Sequence, residues 1–200
     1  MRDTHPNKAL LFDIAATQSG YFTTAQARTS GYSRALLAHH AATGRFVRAR
    51  RGLYRFRQYP SSPREEVMAA WLAMAPDAVV SHESALDLLG LADTIPDHIH
   101  LTVPRSKRSL RPQQQVTLHT ATQPPQPDEI VVREGMKLTS PSRTILDVAQ
   151  SAGAPDQVAR AIRQALEGGL TTRDRLLAGA RHRGKRVEAL VEGLLDHTVR

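Results

Sequence analysis

The sequence predicts an α+β protein that begins with a winged helix-turn-helix and continues into a mixed α/β domain ending in a helical bundle. Three observations support this fold class. Three short helical patterns precede an arginine-rich pair of strands at residues 44–56. A stretch rich in proline and serine, PSSPREE at 60–66, follows at once. From residue 142 onward, apolar residues recur at helical spacing.

The N-terminal helices are marked by apolar spacing and by capping residues. Apolar side chains three and four positions apart predict a first helix over residues 7–17. A second helix is predicted to begin at Thr23 or Thr24, because either threonine can cap it. A third is predicted to follow the N-cap residue Ser33 and to end at Gly44, a favourable residue just past a helix. Two short strands around the turn residues Arg50, Arg51 and Gly52 complete the predicted winged helix.

The third helix has two distinct faces. Its inward stripe is predicted to consist of Leu36, Leu37, His40 and Ala41, with His40 as a packing residue. Its outward face consists of Arg34, Ala38, His39 and Ala42, and the small residues among them allow close approach to a DNA groove. Arg34 is our candidate for a base contact, since arginine donates two hydrogen bonds to guanine. A phosphate contact without sequence information is an equal alternative for this residue.

Charge is concentrated in the first third of the chain. Residues 1–63 carry ten lysine or arginine side chains and only two acidic ones. Residues 64–200 carry seventeen of each sign and are neutral, although the whole chain is +8. A solvated arginine-rich hairpin would account for a short charge run. Segregation on this scale instead indicates an anionic partner for the first part, and nucleic acid is the commonest one.

The later part of the chain shows strands first and helices afterwards. After a predicted helix through VMAAWLAMA, AVV is expected to form a short buried strand, and Ser81 to cap the helix that follows. HIHLTVP, QVTLHTA and IVVREGMKLTS are predicted as further strands. The sequence therefore predicts two domains, a winged helix at 1–59 and an α/β domain at 60–200.

Composition limits the remaining classes of protein. The chain has no cysteine, so disulfides and thiolate metal sites are excluded. No apolar run approaches the length of a membrane span, and ALLFDIAA is too short and interrupted for a signal peptide. We therefore expect a cytoplasmic protein with no membrane partner.

Catalytic and metal-binding patterns are weak in the second domain. His98 and His100 stand two apart on a predicted strand, hence on the same face of it, and His119 lies on a neighbouring predicted strand. No carboxylate or cysteine completes a zinc motif, so whether these histidines bind anything stays open. A nuclease centre could draw on Glu83, Asp97, Glu134 and Lys137, yet EGMK has the wrong spacing. Ser81, His82 and Glu83 are adjacent in the chain, unlike a nucleophile and its base. We expect no enzyme activity, no metal and no cofactor.

Several blocks together resemble one family. FTTAQARTSGYSRALLAHHAATGRFVRARRGLYRF, SHESALDLLGL, IHLTVPR and LTSPSRTILDVA are similar, in this order, to the AbiEi-like antitoxins of bacterial type IV toxin–antitoxin systems. The resemblance runs from about Leu10 to Leu195. It implies a winged helix that represses its own operon at inverted repeats, and a C-terminal domain that neutralises a nucleotidyltransferase-like toxin. It also implies DNA-contacting or wing-shaping roles for Arg48, Arg50, Arg51, Gly52 and Arg55.

The resulting hypothesis is a DNA-binding antitoxin and autorepressor. The candidate DNA-binding residues are Arg28, Ser33, Arg34, His39, Arg45, Arg48, Arg50, Arg51, Gly52 and Arg55. The expected partners are double-stranded operator DNA and the toxin, with direct toxin contact and self-association on DNA left open. Two alternatives are a winged-helix regulator that senses a small ligand through its second domain and a DNA-tethered nuclease.

Overall fold

The chain folds into two compact units. The computed structural model describes residues 5–93, 95–111, 114–151 and 153–198. The first unit comprises Met1–Asp77 and Glu134–Met136, and the second comprises Ala78–Arg133 and Lys137–Arg200. None of the helices in the described ranges combines the length and hydropathy that crossing a bilayer requires.

The first unit has the element order of a winged helix. Its elements are α1 (Lys8–Ala16), β1 (Tyr21–Thr23), α2 (Thr24–Thr29), α3 (Arg34–Ala42), β2 (Phe46–Arg50), β3 (Leu53–Phe56) and α4 (Glu65–Met74). All three predicted helices are present. The caps form as the sequence indicates, with Thr23 and Gln26 in a capping box on α2 and Ser33 Oγ accepting from the Leu36 amide on α3.

An aromatic core holds this unit together. Phe22, Phe46 and Phe56 contact one another with ring centroids 4.9 to 5.3 Å apart, in edge-on and tilted arrangements that aromatic pairs favour. Leu37 of α3 is buried against the same core. β3 is the central strand of the sheet, paired antiparallel with β1 on one side and β2 on the other. Strands and helices therefore share one hydrophobic centre.

The second unit is built on a five-stranded sheet. Its strands are β4 (Val79–Val80), β5 (Ile99–Pro104), β6 (Val116–Ala121), β7 (Ile130–Arg133) and β8 (Met136–Thr139), in the order β6-β5-β4-β8-β7. β4 runs antiparallel to β5 and parallel to β8, while β5 and β6 are parallel. This parallel pairing places His100 opposite Thr117 and His119 opposite Thr102, so the two histidines lie on neighbouring strands two residues out of register.

Helices complete the second unit. They are α5 (His82–Leu89), α6 (Pro141–Gln150), α7 (Pro155–Glu167), α8 (Arg173–Arg181) and α9 (Lys185–Thr198). Buried residues of all five helices form one core cluster that includes Leu86, Ile145, Ile162, Leu176 and Val191. The predicted fold class, a winged helix followed by a mixed α/β domain ending in helices, is confirmed.

The compact units divide after Asp77, because α4 packs against β1 and β3. Two local features differ from the sequence expectations. β1 was not predicted, since a three-residue strand is defined by its distant pairing with β3 and has no local signal. Ser81 occupies the N-cap position of α5, but its side chain makes no capping bond. Its Oγ instead lies 2.9 Å from His82 Nδ1 and accepts a hydrogen bond from Thr102.

Candidate nucleic-acid interface

The third helix exposes the face that its sequence predicts. Arg34, Ala38, His39 and Ala42 are exposed, while Leu37 is buried and Leu36, His40 and Ala41 are half-buried. His40 packs its ring on Phe46 at 5.1 Å, which confirms it as a packing residue. Burial, with Arg45 and His39 adding to it, lowers the pKa of His40, which disfavours its protonated form. The exposed face therefore presents one arginine and one histidine among alanines.

The wing is a short, twisted hairpin. Phe46 pairs with Phe56 and Arg48 with Tyr54, and a bulge between Arg48 and Arg50 shifts the register before the turn. Gly52 adopts a φ of +77°, the left-handed conformation that glycine reaches without steric cost. Its carbonyl accepts hydrogen bonds from the Thr24 amide at 2.8 Å and the Thr24 hydroxyl at 3.2 Å. The turn of the wing is thus fastened to the start of α2.

The candidate arginines fall into three groups by exposure. Those whose side chains are open to solvent are Arg28, Arg34, Arg45, Arg48 and Arg51. Arg50 is half-buried, and its shielded Nη1 has no hydrogen-bond acceptor within the described ranges. Arg55 forms the third group, because its side chain is largely shielded from solvent and bonds other residues of the first unit. The exposed group can contact phosphate or bases directly.

Arg55 is engaged by other parts of the first unit. Its Nη2 lies 2.9 Å from Glu65 Oε2 and donates to the Pro60 carbonyl at 3.0 Å, and its Nε donates to the Ser19 carbonyl at 3.3 Å. The guanidinium also lies over the Tyr21 ring. Only 13% of the side chain is exposed. Of the two roles that the resemblance implies, Arg55 fits wing shaping rather than DNA contact.

Two family models match the chain. The model described as a transcriptional regulator, AbiEi antitoxin, matches residues 9–57, which hold the helices and wing just described. The model described as the AbiEi antitoxin C-terminal domain matches residues 77–197, more than half of the chain. The chain belongs to the AbiEi antitoxin family. Its predicted identity as an antitoxin and transcriptional regulator is confirmed at this level.

Comparison with solved structures supports the fold of this AbiEi antitoxin. The crystal structure of the RV2827C protein from Mycobacterium tuberculosis superposes with a TM-score of 0.61 over 99% of this chain and 79% of that chain. The two sequences are 15% identical, so this likeness shows a shared fold alone. No curated protein matches the chain.

The second unit of the antitoxin contains a histidine cluster in which His82 is buried and His100 and His119 are half-buried. His82 and His119 stack with ring centroids 3.5 Å apart, and His100 Nδ1 lies 3.0 Å from His119 Nε2 and 3.1 Å from Glu83 Oε2. Burial lowers the pKa of His82 to about 3, with His119 and His100 adding to the effect. Burial also lowers the pKa values of His100 and His119, the former against the opposing influence of Glu83.

The cluster borders a cavity of about 950 Å³. On another part of the cavity wall, Asp147 forms ion pairs with two arginines, Arg143 Nε at 2.9 Å and Arg183 Nη2 at 2.7 Å. Arg143 Nη1 also lies 2.9 Å from the Glu129 carboxylate. The SHESAL and SPSRTILD blocks, about sixty residues apart, therefore meet at one cavity. His82 reaches it with a left-handed φ of 51°, a conformation that non-glycine residues adopt at some energetic cost.

Sequence reasoning identified part of this cluster. It placed His100 and His119 on neighbouring strands, which the structure confirms. His98, predicted on the same strand as His100, instead precedes β5 and lies 3.1 Å from Thr117 Oγ1. It missed His82, which carries no spacing signal. The four-residue separation of Arg143 and Asp147 on a helix was a usable signal for their ion pair.

Within the described ranges, no group of three or more histidine, aspartate or glutamate side chains is arranged to hold a metal ion. The nuclease alternative gains nothing from Glu134, whose carboxylate pairs with Arg64 within the first unit.

Proposed function

We propose that this AbiEi antitoxin binds double-stranded operator DNA through α3 and the wing, represses its own operon and neutralises a nucleotidyltransferase-like toxin. One observation supports the DNA-binding part above all others. The exposed face of α3 carries Arg34 and His39 among alanines, and the adjoining wing exposes Arg48 and Arg51. Small side chains permit close approach to the major groove, and the wing arginines supply charge for the phosphate backbone.

The toxin-neutralising part rests on the family and on the charge distribution. The second unit matches the AbiEi antitoxin C-terminal domain. The sequence from residue 64 onward is neutral, so this part of the chain lacks the charge excess that favours phosphate binding. We assign toxin neutralisation to the second unit, either by direct contact or through another cellular component, and operator binding to the first.

Operator binding is tested by titrating duplex DNA from upstream of the gene, beside a scrambled duplex of equal length, with the full chain. Arg34→Ala is expected to cost about 1–3 kcal/mol on the upstream duplex and far less on the scrambled one, because a lost guanine contact affects the specific complex. Equal losses on both duplexes would make Arg34 a phosphate contact. Equal affinity of the wild-type chain for both duplexes would contradict specific repression.

Toxin neutralisation is tested by co-expressing the full chain with the adjacent toxin gene and measuring colony survival. Wild-type chain should restore growth. An Arg48→Ala/Arg51→Ala variant should also restore growth while losing repression of a promoter reporter, since we assign the two activities to different units. Loss of both activities together would show that neutralisation depends on DNA binding.

A ligand-sensing regulator is a second candidate, favoured by the 950 Å³ cavity in the second unit. Ligand pockets typically enclose roughly 300–1,000 Å³ and contain a few buried polar groups. Failure of the wild-type chain to rescue growth, combined with specific operator binding, would favour this candidate over the antitoxin.

A further inference from the structure

A second concave feature lies in the first unit, away from the tip of the wing. Its volume is about 560 Å³, and it opens where α1 begins, α3 ends, β2 begins and β3 ends. Its wall includes the cations Lys8, Arg45 and Arg57, together with His39 and Phe56. No aspartate or glutamate of the described chain lines it. We call this feature the basic cavity.

One of the cations is fixed in place. Arg57 Nε donates to the Gly44 carbonyl at 2.6 Å, and the Arg57 amide donates to the Arg45 carbonyl at 3.2 Å. Gly44 turns the chain there with a φ of +74°. Within the described ranges, the terminal nitrogens of Arg57 have no carboxylate or carbonyl partner, and neither do Lys8 Nζ and the Arg45 guanidinium. Among the described residues, the cavity therefore holds three cations and no aspartate or glutamate to balance them.

The end of α3 does not balance this charge. A helix C-terminus is equivalent to about half a negative charge, and Arg57 already bonds the carbonyl that follows α3. Three cations exceed that partial charge by roughly two and a half units. The lowered pKa of His40, to which burial contributes first and Arg45 second, is consistent with a positive potential at this wall. A bound anion would balance the charge that remains.

We propose that the basic cavity binds a phosphate group, held by Lys8, Arg45 and Arg57. The planar guanidinium donates paired hydrogen bonds to phosphate oxygens, and lysine adds a compact charge. Two sources share this chemistry: a small phosphorylated molecule, for which the volume is sufficient, and a phosphodiester of bound DNA. His39 and Arg45 belong both to the cavity and to the candidate DNA interface, so the two sites are continuous. Only the DNA source rests on the proposed function.

The test uses the full chain, inorganic pyrophosphate and duplex DNA. Titration calorimetry with pyrophosphate is carried out on the wild type and on a Lys8→Gln/Arg57→Gln variant. The matched control, Arg163→Gln/Lys185→Gln, removes the same two charges from exposed positions in the second unit. The salt dependence of duplex binding is measured for all three proteins. Arg57 also supports the Gly44 loop, so the Lys8→Gln/Arg57→Gln variant is first checked for folding by circular dichroism. If that variant is unfolded, a Lys8→Gln/Arg45→Gln variant takes its place.

Two results would support the proposal and separate the sources. Pyrophosphate binding that weakens at least tenfold in the cavity variant, and less than twofold in the control, identifies a site for a small phosphorylated molecule. Absence of pyrophosphate binding, combined with a salt slope about 0.9 units shallower for each lost contact, identifies a DNA phosphate. If the cavity variant binds pyrophosphate as the wild type does and its duplex binding shows the same salt slope, the phosphate-site proposal is overturned. Cavity-dependent pyrophosphate binding by a protein that binds no DNA would leave this proposal standing and reject the proposed function.

Discussion

Individual arginines in the wing differ in what they contact, although the sequence presents them as one cluster. Arg48 and Arg51 are open to solvent, whereas Arg55 bonds Glu65 and two backbone carbonyls at the base of the wing. The side chain of Arg55 thus links β3 to α4 and to the loops beside them. Its loss should affect folding, and the loss of its neighbours should affect binding.

Arg55→Ala should therefore destabilise the protein by about 1–3 kcal/mol, because it leaves partly buried acceptors without their donor. Urea denaturation of the wild type and the variant measures this. Arg48→Ala is the matched control and should stay within about 0.5 kcal/mol of the wild type, as an exposed substitution. An Arg55→Ala variant with wild-type stability and weakened DNA binding would return Arg55 to the DNA interface.

Gly52 tests the shape of the wing turn at a single residue. A Cβ at Gly52 would find space, with Thr24 Oγ1 its nearest neighbour at 3.8 Å, but the φ of +77° disfavours any other residue. Gly52→Val should distort the turn and weaken operator binding while the protein remains folded, since left-handed backbone costs about 1–2 kcal/mol for an L-residue.

Gly90 offers a matched control for this substitution. It ends α5 with a φ of +71° and has open space around it, so Gly90→Val imposes similar strain in the second unit. Thermal unfolding and operator titration of both variants separate strain from binding. Equal DNA affinity of the two variants would show that the wing turn plays no part in recognition.

At the scale of elements, β5, β6 and the start of α5 bring three histidines into one cluster, with His82 buried against the ring of His119. The folded protein favours the neutral form of His82, whose pKa falls from 6.5 to about 3. Between these two values the unfolded chain binds more protons than the folded one, so stability is complete above about pH 6.5 and declines as the pH falls. His100 and His119 act in the same direction, with Glu83 opposing both, and Asp147 opposing for His119.

Lowering the pH from 7 to 5 should cost His82 alone about 2 kcal/mol of unfolding free energy, at 1.36 kcal/mol per pKa unit. Urea denaturation at both pH values measures the loss. His82→Gln should reduce this pH-dependent loss by a similar amount. A pH dependence identical in wild type and His82→Gln would show that His82 is not held neutral in the folded protein.

The elements also show how far sequence reasoning extends. The three helices, their caps at Thr23 and Ser33, and the wing were predictable, because periodicity and capping are local properties. The pairing of β1 with β3, the parallel order of β5 and β6 and the burial of His82 were not, because each depends on contacts between distant segments. The same holds for the site. Candidate DNA-contacting arginines could be proposed from the charge distribution. The ion pair of Arg55 with Glu65 and the position of Arg57 at the basic cavity could not, because both depend on how distant segments pack.

At the scale of the whole molecule, charge and family descriptions divide the chain in the same way. The cationic part matches a transcriptional regulator model, and the neutral part matches an antitoxin C-terminal domain. Charge segregation of this kind favours an anionic partner for the first part only. We propose on this basis that the winged helix binds DNA and that the exposed wing arginines contact the phosphate backbone.

DNA contact by the wing is tested by the slope of operator affinity against salt concentration on logarithmic axes, measured for the wild type and for an Arg48→Ala/Arg51→Ala variant. Each phosphate contact contributes about 0.9 to this slope, so the double variant should be shallower by about 1.8 units. The Arg163→Gln/Lys185→Gln control should retain the wild-type slope. A double variant whose slope equals that of the wild type would contradict the assignment of the wing to the DNA interface.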